Sequence, residues 1–241
     1  MKKLLFMLCF VFVAALAFAE NEEYETVLSI GFEEEEGYVL GEIVWQNGWT
    51  GRQGRHEVTA DTACSGTQSL NFNGIETGDY DAEYRFECDN PDGLPMHISF
   101  KFKPSENGLL RFYPFEGQGH IINMFLGRTQ FSADAPKYMF KNIEPALDFN
   151  EWYEAGIYLN PKDGVVESFY LGDCVFDDES GYEYIAYGDT CVPDGIAFYT
   201  SWADDQTVAY VDDIKVEVML PEPACLGLLA LAGLFLLRKR S

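Results

Sequence analysis

Tyr80-Asp81-Ala82-Glu83-Tyr84-Arg85-Phe86-Glu87-Cys88 alternates without a break. Tyr80, Ala82, Tyr84, Phe86 and Cys88 fall on one side of an extended chain, and Asp81, Glu83, Arg85 and Glu87 on the other. A strand with one apolar and one charged face belongs in an antiparallel sheet that covers a core on one side and meets water on the other. Met96, Ile98, Phe100 and Phe102 repeat the pattern against His97, Ser99, Lys101 and Lys103. Outward from this pair, strands are predicted over residues 26–32, 68–73, 109–115, 121–126, 152–159, 165–171, 196–201 and 208–218. Asn47-Gly48, Asn107-Gly108, Asp163-Gly164 and Asp194-Gly195 mark turns between them. Between residues 20 and 220 no stretch keeps apolar residues at helical spacing for three turns without Gly or Pro. The predicted fold is all-β, a two-sheet antiparallel sandwich of roughly ten to fourteen strands.

The two ends read differently. Lys2 and Lys3, an apolar run from Leu4 to Ala17, and Ala17-Phe18-Ala19 have the order of an export signal cut after Ala19. At the other end Pro221-Glu222-Pro223 is followed by fourteen uncharged residues and then Arg238-Lys239-Arg240. As a helix that stretch spans about 21 Å, short of the roughly 30 Å hydrocarbon core, which fits a transient anchor better than a settled span. The basic end stays cytoplasmic under the positive-inside rule, leaving the acidic part of the chain on the far side. The expected organisation is therefore a signal peptide over 1–19, a sandwich domain over 20–220 and a sorting tail with an apolar helix over 221–241.

Residues 20–220 hold 11 Lys and Arg against 39 Asp and Glu, so their formal charge is −28. Such a surface repels phosphate backbones and anionic lipid heads, which excludes nucleic-acid binding as an expectation. An aromatic content of 15% argues for a packed interior rather than acidic disorder. About 200 residues suffice for a core without help from metals or many disulfides.

Cys9 leaves with the signal and Cys225 lies in the tail. Cys64, Cys88, Cys174 and Cys191 remain for an oxidising compartment, with three possible connectivities. Short sequence separation favours Cys64 with Cys88 and Cys174 with Cys191. Zinc finds no support, because no cysteine pair has two-to-four-residue spacing and His56, His97 and His120 are scattered.

The tail, from Pro221-Glu222-Pro223 through the apolar stretch to Arg238-Lys239-Arg240, resembles a PEP-CTERM sorting signal of exported bacterial proteins. Cys225 stands where such tails are expected to carry a small or hydroxyl residue. The resemblance implies passage through the inner membrane, processing by an exosortase-type enzyme, and release to the cell surface or extracellular matrix. The domain in turn resembles concanavalin A-like, laminin-G-like jelly rolls. The matching pieces are Gly31-Phe32-Glu33 with Gly37-Tyr38 and Gly48-Trp49, Ser65-Gly66-Thr67-Gln68-Ser69-Leu70, Trp152, Val166-Glu167-Ser168-Phe169-Tyr170-Leu171-Gly172, and Val211-Asp212-Asp213-Ile214. This second resemblance implies carbohydrate binding and a structural Ca²⁺.

Glu33 near the first strand and Asp212 with Asp213 on the last are the metal candidates. The first and last strands of a jelly roll lie close, and three carboxylates with backbone carbonyls make an oxygen cage suited to calcium. The competing reading is a solvated charge run at Glu33 to Glu36 and an Asp pair that merely starts a strand. Sugar rings stack on exposed flat aromatics, so Trp49, Trp202 and Trp45 are the ligand candidates, while Trp152 reads as core. No catalytic residue is predicted. Glu87-Cys88-Asp89-Asn90-Pro91-Asp92 approaches the carboxylate pattern of sandwich glycosidases, but its proline breaks the ladder and it reads as a turn. Neither a Gly-x-Ser-x-Gly elbow nor His-Glu-x-x-His occurs.

The expected function is a non-catalytic surface or matrix protein with a lectin-like domain that binds glycan or extracellular polysaccharide. The alternatives are a purely structural matrix protein, and a glycoside hydrolase or a polysaccharide lyase using Tyr with a His such as His120. A neutral polysaccharide meets no repulsion from this charge, whereas an anionic one would need calcium as a bridge.

Overall fold

The structure is a computed structural model that describes residues 24–51, 56–73, 79–106, 108–117, 119–134, 138–183, 192–201 and 207–220. Thr26–Val218 forms one unit; the other, Met1–Glu25 with Met219–Ser241, has four described residues at its inner ends. The predicted signal peptide, the tail with Pro221, Glu222, Pro223, Arg238, Lys239 and Arg240, and Cys191 and Trp202 lie outside the described residues.

The described elements run β1 (Tyr24–Ile30), a 3-10 turn (Glu34–Glu36), β2 (Gly41–Glu42), β3 (Trp49–Gly51), β4 (His56–Thr59), β5 (Ser69–Asn73), β6 (Asp79–Arg85), β7 (Met96–Pro104), β8 (Leu109–Glu116) and β9 (Gly119–His120). They continue with β10 (Asn123–Gly127), β11 (Gln130–Asp134), β12 (Tyr138–Asn142), β13 (Tyr153–Asn160), β14 (Val165–Leu171), β15 (Cys174–Glu183), β16 (Gly195–Ser201) and β17 (Thr207–Met219). The larger sheet has the order β15-β14-β13-β7-β17-β5-β4-β2, with β1 also on β17. The smaller has the order β12-β11-β10-β8-β16-β6-β3, with β9 on β8. Two antiparallel sheets without an α-helix among the described residues match the all-β prediction and are consistent with a jelly-roll sandwich. No helix among the described residues is long and apolar enough to cross a membrane.

Alternation places the core. Met96, Ile98, Phe100 and Phe102 of β7 are each at most 1% exposed, as their spacing predicts, and Ala82 of β6 is fully buried. Phe198 of β16 sits at the centre, with ring centroids 5.1 Å from Phe100, 5.1 Å from Phe112 and 5.3 Å from Phe72. Those rings come from β7, β8 and β5, so one aromatic cluster joins the two sheets. Strands β4, β11, β12 and β15, and the short β2, β3 and β9, were not predicted. Their apolar residues are too few or too irregularly spaced to announce a strand, and pairing with a neighbour supplies what the pattern lacks. β6 leaves the ladder at Arg85, and residues 87–92 form the predicted turn, closed by Asn90 Oδ1 accepting from the Leu94 N–H at 2.8 Å.

Both favoured disulfides are corrected. Cys64 carries an exposed free thiol and Cys174 a half-buried one, so neither Cys64 with Cys88 nor Cys174 with Cys191 is bonded. The reason is topological. Cys64 precedes β5 of the larger sheet and Cys88 follows β6 of the smaller; Cys174 opens β15 of the larger and position 191 precedes β16 of the smaller. In each pair the strands beside the two cysteines belong to different sheets, so nearness in sequence does not by itself make the two sulfurs neighbours.

Candidate functional site

The outer face of the smaller sheet is built from the side of each strand that the core does not use. On β8, Leu110 and Phe112 point inward and are fully buried, which turns Arg111, Tyr113 and Phe115 outward. Register then sets their neighbours. Arg111 lies opposite Phe125 of β10 and Tyr199 of β16. Phe125 lies opposite Ser132 of β11, which lies opposite Phe140 of β12. A straight row Phe140, Ser132, Phe125, Arg111, Tyr199 thus crosses five strands, about 19 Å at the usual strand spacing.

The centre of that row is a cation between two rings. The Arg111 guanidinium carbon lies 4.8 Å from the Phe125 ring centre and 5.3 Å from that of Tyr199. Its Nε is buried without a hydrogen-bond partner, and among the described residues it forms no ion pair. Each such contact is worth roughly 0.5–1 kcal/mol when exposed, enough to hold the guanidinium plane in place. Phe140 at the end of the row is 47% exposed. Beside the row Tyr113, Phe115 and Ala197 pack as a small second cluster, with the His120 ring 4.0 Å from Tyr113. Burial depresses the basicity of His120. At the rim Arg85 lies 4.7 Å over Phe115, pairs with Asp194 at 3.1 Å and donates to the Gly117 carbonyl at 2.6 Å.

The predicted metal residues converge on one loop. Glu33 Oε1 accepts from the N–H groups of Thr67 at 2.9 Å and Gln68 at 3.1 Å, and Oε2 from the Thr67 hydroxyl at 2.9 Å. Partial burial works against ionisation of Glu33, but those donors outweigh it and hold its acidity above the ordinary level. Gly66 stands at φ +61°, and a Cβ there would fall 2.2 Å from Glu33 Oε1, so glycine is what lets the carboxylate approach. From the other end Asp212 Oδ2 accepts from Cys64 N–H at 2.8 Å and Ser65 N–H at 3.3 Å, and Oδ1 from Asp213 N–H at 2.8 Å. Asp213 Oδ1 accepts from the Ser65 hydroxyl at 2.5 Å. Burial pushes Asp212 up to about 7 despite these N–H donors, because the side chain is fully removed from water.

As placed, the three acids do not fit a calcium ion. Glu33 holds residues 67 and 68, Asp212 and Asp213 hold residues 64 and 65, and their oxygens face N–H and O–H donors. Among the described residues no group of three His, Cys, Asp or Glu is arranged to hold a metal.

The tryptophans divide otherwise than their settings predict. Trp49 is fully buried against Phe32, Tyr84 and Phe198, and its Nε1 donates to Tyr38 Oη at 3.1 Å. It offers no face to a ligand, because the turn before it delivers it directly into β3, which pairs with β6. Trp45, on the other side of that turn, is 70% exposed. Trp152, read as core, is half-buried with its ring 6.0 Å from Lys103 Nζ.

On the outer face of the larger sheet a hydrogen-bonded chain ties four strands. His97 Nε2 meets Tyr170 Oη at 2.9 Å and Nδ1 meets Glu217 at 3.4 Å, while Tyr170 Oη donates to Glu154 at 2.9 Å and Lys101 Nζ to Glu154 at 2.8 Å. The His97 ring stacks on Tyr158 at 4.2 Å. Gly156 makes this possible: a Cβ there would lie 2.7 Å from Tyr170 Oη, so only a bare backbone lets that ring lie across β13. Burial lowers the basicity of His97 against the pull of Glu217. A cleft of 630 Å³ lies apart from both faces, between residues 141–147 and 171–175. Its single lining ring, Tyr153, has its hydroxyl engaged by the Asp148 N–H at 2.8 Å.

Sequence reasoning missed Arg111, Phe125, Tyr199 and Phe140. The available signal was a lone arginine inside the apolar run Leu109-Leu110-Arg111-Phe112-Tyr113, although only register shows which rings flank it.

Two solved structures share the architecture at TM-scores of 0.50 and above. A carbohydrate esterase, vb_24B_21, of the Shiga toxin-encoding bacteriophage phi24B matches at TM-score 0.56 and 17% identity, over 82% of this chain and 100% of that one. The receptor-binding domain of botulinum neurotoxin mosaic serotype C/D matches at TM-score 0.50 and 14% identity, over 82% of this chain and 48% of that one. The CBM22-1 xylan-binding domain of Paenibacillus barcinonensis Xyn10C matches at TM-score 0.41 and 16% identity, over 83% of this chain and 99% of that one. At such identities the likeness concerns the fold alone. No family model matches the chain, and no curated protein matches it.

Proposed function

We propose that the chain is an exported, non-catalytic protein whose sandwich binds glycan through the outer face of the smaller sheet. The observation that carries this reading is Arg111, held between Phe125 and Tyr199 and without an ion pair among the described residues, in a chain with 40 acidic residues. A sugar ring has an apolar C–H face and a rim of hydroxyls. Phe125, Tyr199 and Phe140 supply flat partners for the first, and the outer edge of the guanidinium supplies donors for the second. A row of rings and donors along a sheet suits an extended polysaccharide. The fold shared with a phage carbohydrate esterase supports a sugar as the ligand class.

In this reading the sandwich is a concanavalin A-like jelly roll. The export signal and the PEP-CTERM-like tail take it across the inner membrane to an exosortase-type enzyme and then to the cell surface or matrix. The non-catalytic part rests on the row itself, in which the groups beside Arg111 are the rings of Phe125 and Tyr199 rather than a pair of carboxylates.

The test is a glycan array probed with the full chain, in calcium and in chelator, alongside Arg111→Gln. Selective binding that Arg111→Gln weakens about tenfold is the expected result. Silence from a folded chain, or release of reducing or unsaturated ends from bound polysaccharide, overturns the reading.

A further inference from the structure

We propose that the outer face of the larger sheet carries a second sugar-binding row, Trp152, Lys103, Tyr210 and Asn71, so that one chain holds two polysaccharide strands, one on each side of the sandwich. The proposal rests on the glycan-binding reading of the smaller sheet and extends it from binding to cross-linking.

Register builds the row. Tyr210 of β17 lies opposite Lys103 of β7 on one side and Asn71 of β5 on the other. On the far side of β7, Tyr153 lies opposite Phe102, which brings Trp152 beside Lys103. Lys103, Tyr210 and Asn71 face outward, because their neighbours Phe102, Val211, Leu70 and Phe72 are the buried, inward ones, and the half-buried Trp152 ring joins them beside Lys103. Lys103 Nζ lies 6.0 Å from the Trp152 ring centre and 5.9 Å from that of Tyr210. It donates to the Thr62 hydroxyl at 3.1 Å and forms no ion pair among the described residues, which leaves two ammonium hydrogens for oxygens of a ligand. Asn71 forms the floor. It is 5% exposed, and its Oδ1 is buried without a hydrogen-bond partner.

The adjoining loop is anchored by three carboxylates. Thr62 belongs to the segment between β4 and β5 that Glu33, Asp212 and Asp213 grip through residues 64–68. The three acids therefore position the wall of this row. Two half-buried rings, a cation with unused donors and a buried acceptor match a pyranose, which brings C–H faces, hydroxyl acceptors and hydroxyl donors together. A simple anion would use the ammonium and leave both rings idle. Because the two rows lie on opposite outer faces, one polysaccharide segment cannot occupy both. Two segments on one chain raise avidity and join strands without any new protein contact.

The experiment uses the full chain with three soluble neutral polysaccharides, xylan, mixed-linkage β-glucan and galactomannan. Retardation in polysaccharide-containing gels reads binding, and light scattering reads bridging. The expected pattern for a polysaccharide that binds is that Tyr210→Ala or Tyr199→Ala alone keeps retardation but lowers bridging at least tenfold, and that the double variant loses both. Tyr210→Phe should restore bridging because it keeps the ring, and Lys103→Gln gives a second lesion that removes no core contact. Bridging unchanged by both Tyr210→Ala and Lys103→Gln overturns the second row while leaving the first intact. Loss of all retardation in Tyr199→Ala alone has the same meaning. No retardation of the unaltered chain by any of the three overturns both readings.

Discussion

The two outer faces of the sandwich use the same device at different degrees of commitment. On the smaller sheet Arg111 lies between Phe125 and Tyr199 and forms neither a hydrogen bond at Nε nor an ion pair among the described residues. On the larger sheet Lys103 lies between Trp152 and Tyr210, but two residues away on the same strand Lys101 is tied to Glu154, and Glu154 is joined through Tyr170 to His97 and Glu217. One face keeps its cation for whatever lands on it; the other spends most of its polar groups on holding β7, β13, β14 and β17 together. An acidic chain that leaves Arg111 without an ion pair among the described residues forgoes attraction available in every direction, which is the ground for proposing this face as the binding surface.

The strongest way to break this comparison is to remove what the faces share. Phe198→Ala empties the centre of the aromatic cluster and is expected to cost about 3–5 kcal/mol, read from the urea midpoint. Binding on both faces should fall together; a face that survives unchanged would not depend on the sandwich behind it. A smaller effect separates the faces. Arg111→Lys keeps the charge but not the flat plane between two rings, and an approximately fivefold loss of glycan affinity is expected, less than for Arg111→Gln.

Acidity sharpens the contrast further, because the larger sheet holds a buried acid, Asp212, and a half-buried base, His97, of opposite slope. Asp212, ordinarily ionised above about 4 and here titrating near 7, binds a proton more readily folded than unfolded, so its contribution falls as pH rises between those values. His97, whose basicity burial lowers, binds a proton less readily folded, so its contribution falls as pH drops below the ordinary histidine range. Lys101, Lys215, Glu154, Glu217 and Asp213 share the surroundings of these two groups. Between pH 7 and 5 the two slopes oppose each other. Asp212→Asn removes the first, and its thermal midpoint should therefore fall more steeply on acidification than that of the unaltered chain. An equal slope in both would sink the assignment. The smallest effect expected is that of calcium. With the Glu33, Asp212 and Asp213 oxygens facing loop donors, millimolar calcium against a magnesium control should shift the thermal midpoint by less than about 1 °C, and a rise of several degrees would mean that the loop opens into an oxygen cage.

Much of the fold was legible because alternation is a local property. β7 and β14 could be placed from periodicity alone, and the turn at residues 87–92 from its proline. The closeness of Glu33 to the Asp212 pair was also anticipated, since both grip the same loop. What they do there was not, because a carboxylate that binds a metal and one that caps backbone N–H groups carry the same letter. Trp49 and Trp45 stand four residues apart in one turn, and one is fully buried while the other is 70% exposed.

By itself, then, the sequence determined the sheet class, the inward face of most strands and the acidic balance, since each depends on neighbours along the chain or on composition. Only the tertiary structure decided which tryptophan is core and which rings flank Arg111 and Lys103, and it left the thiols of Cys64 and Cys174 free. Those depend on strand order and register, on which strand of which sheet comes to lie beside another, and such pairings join residues as far apart as Asn71 and Tyr210. No local pattern encodes that distance; the shared core does, by selecting the one pairing that buries Phe72, Phe100, Phe112 and Phe198 together.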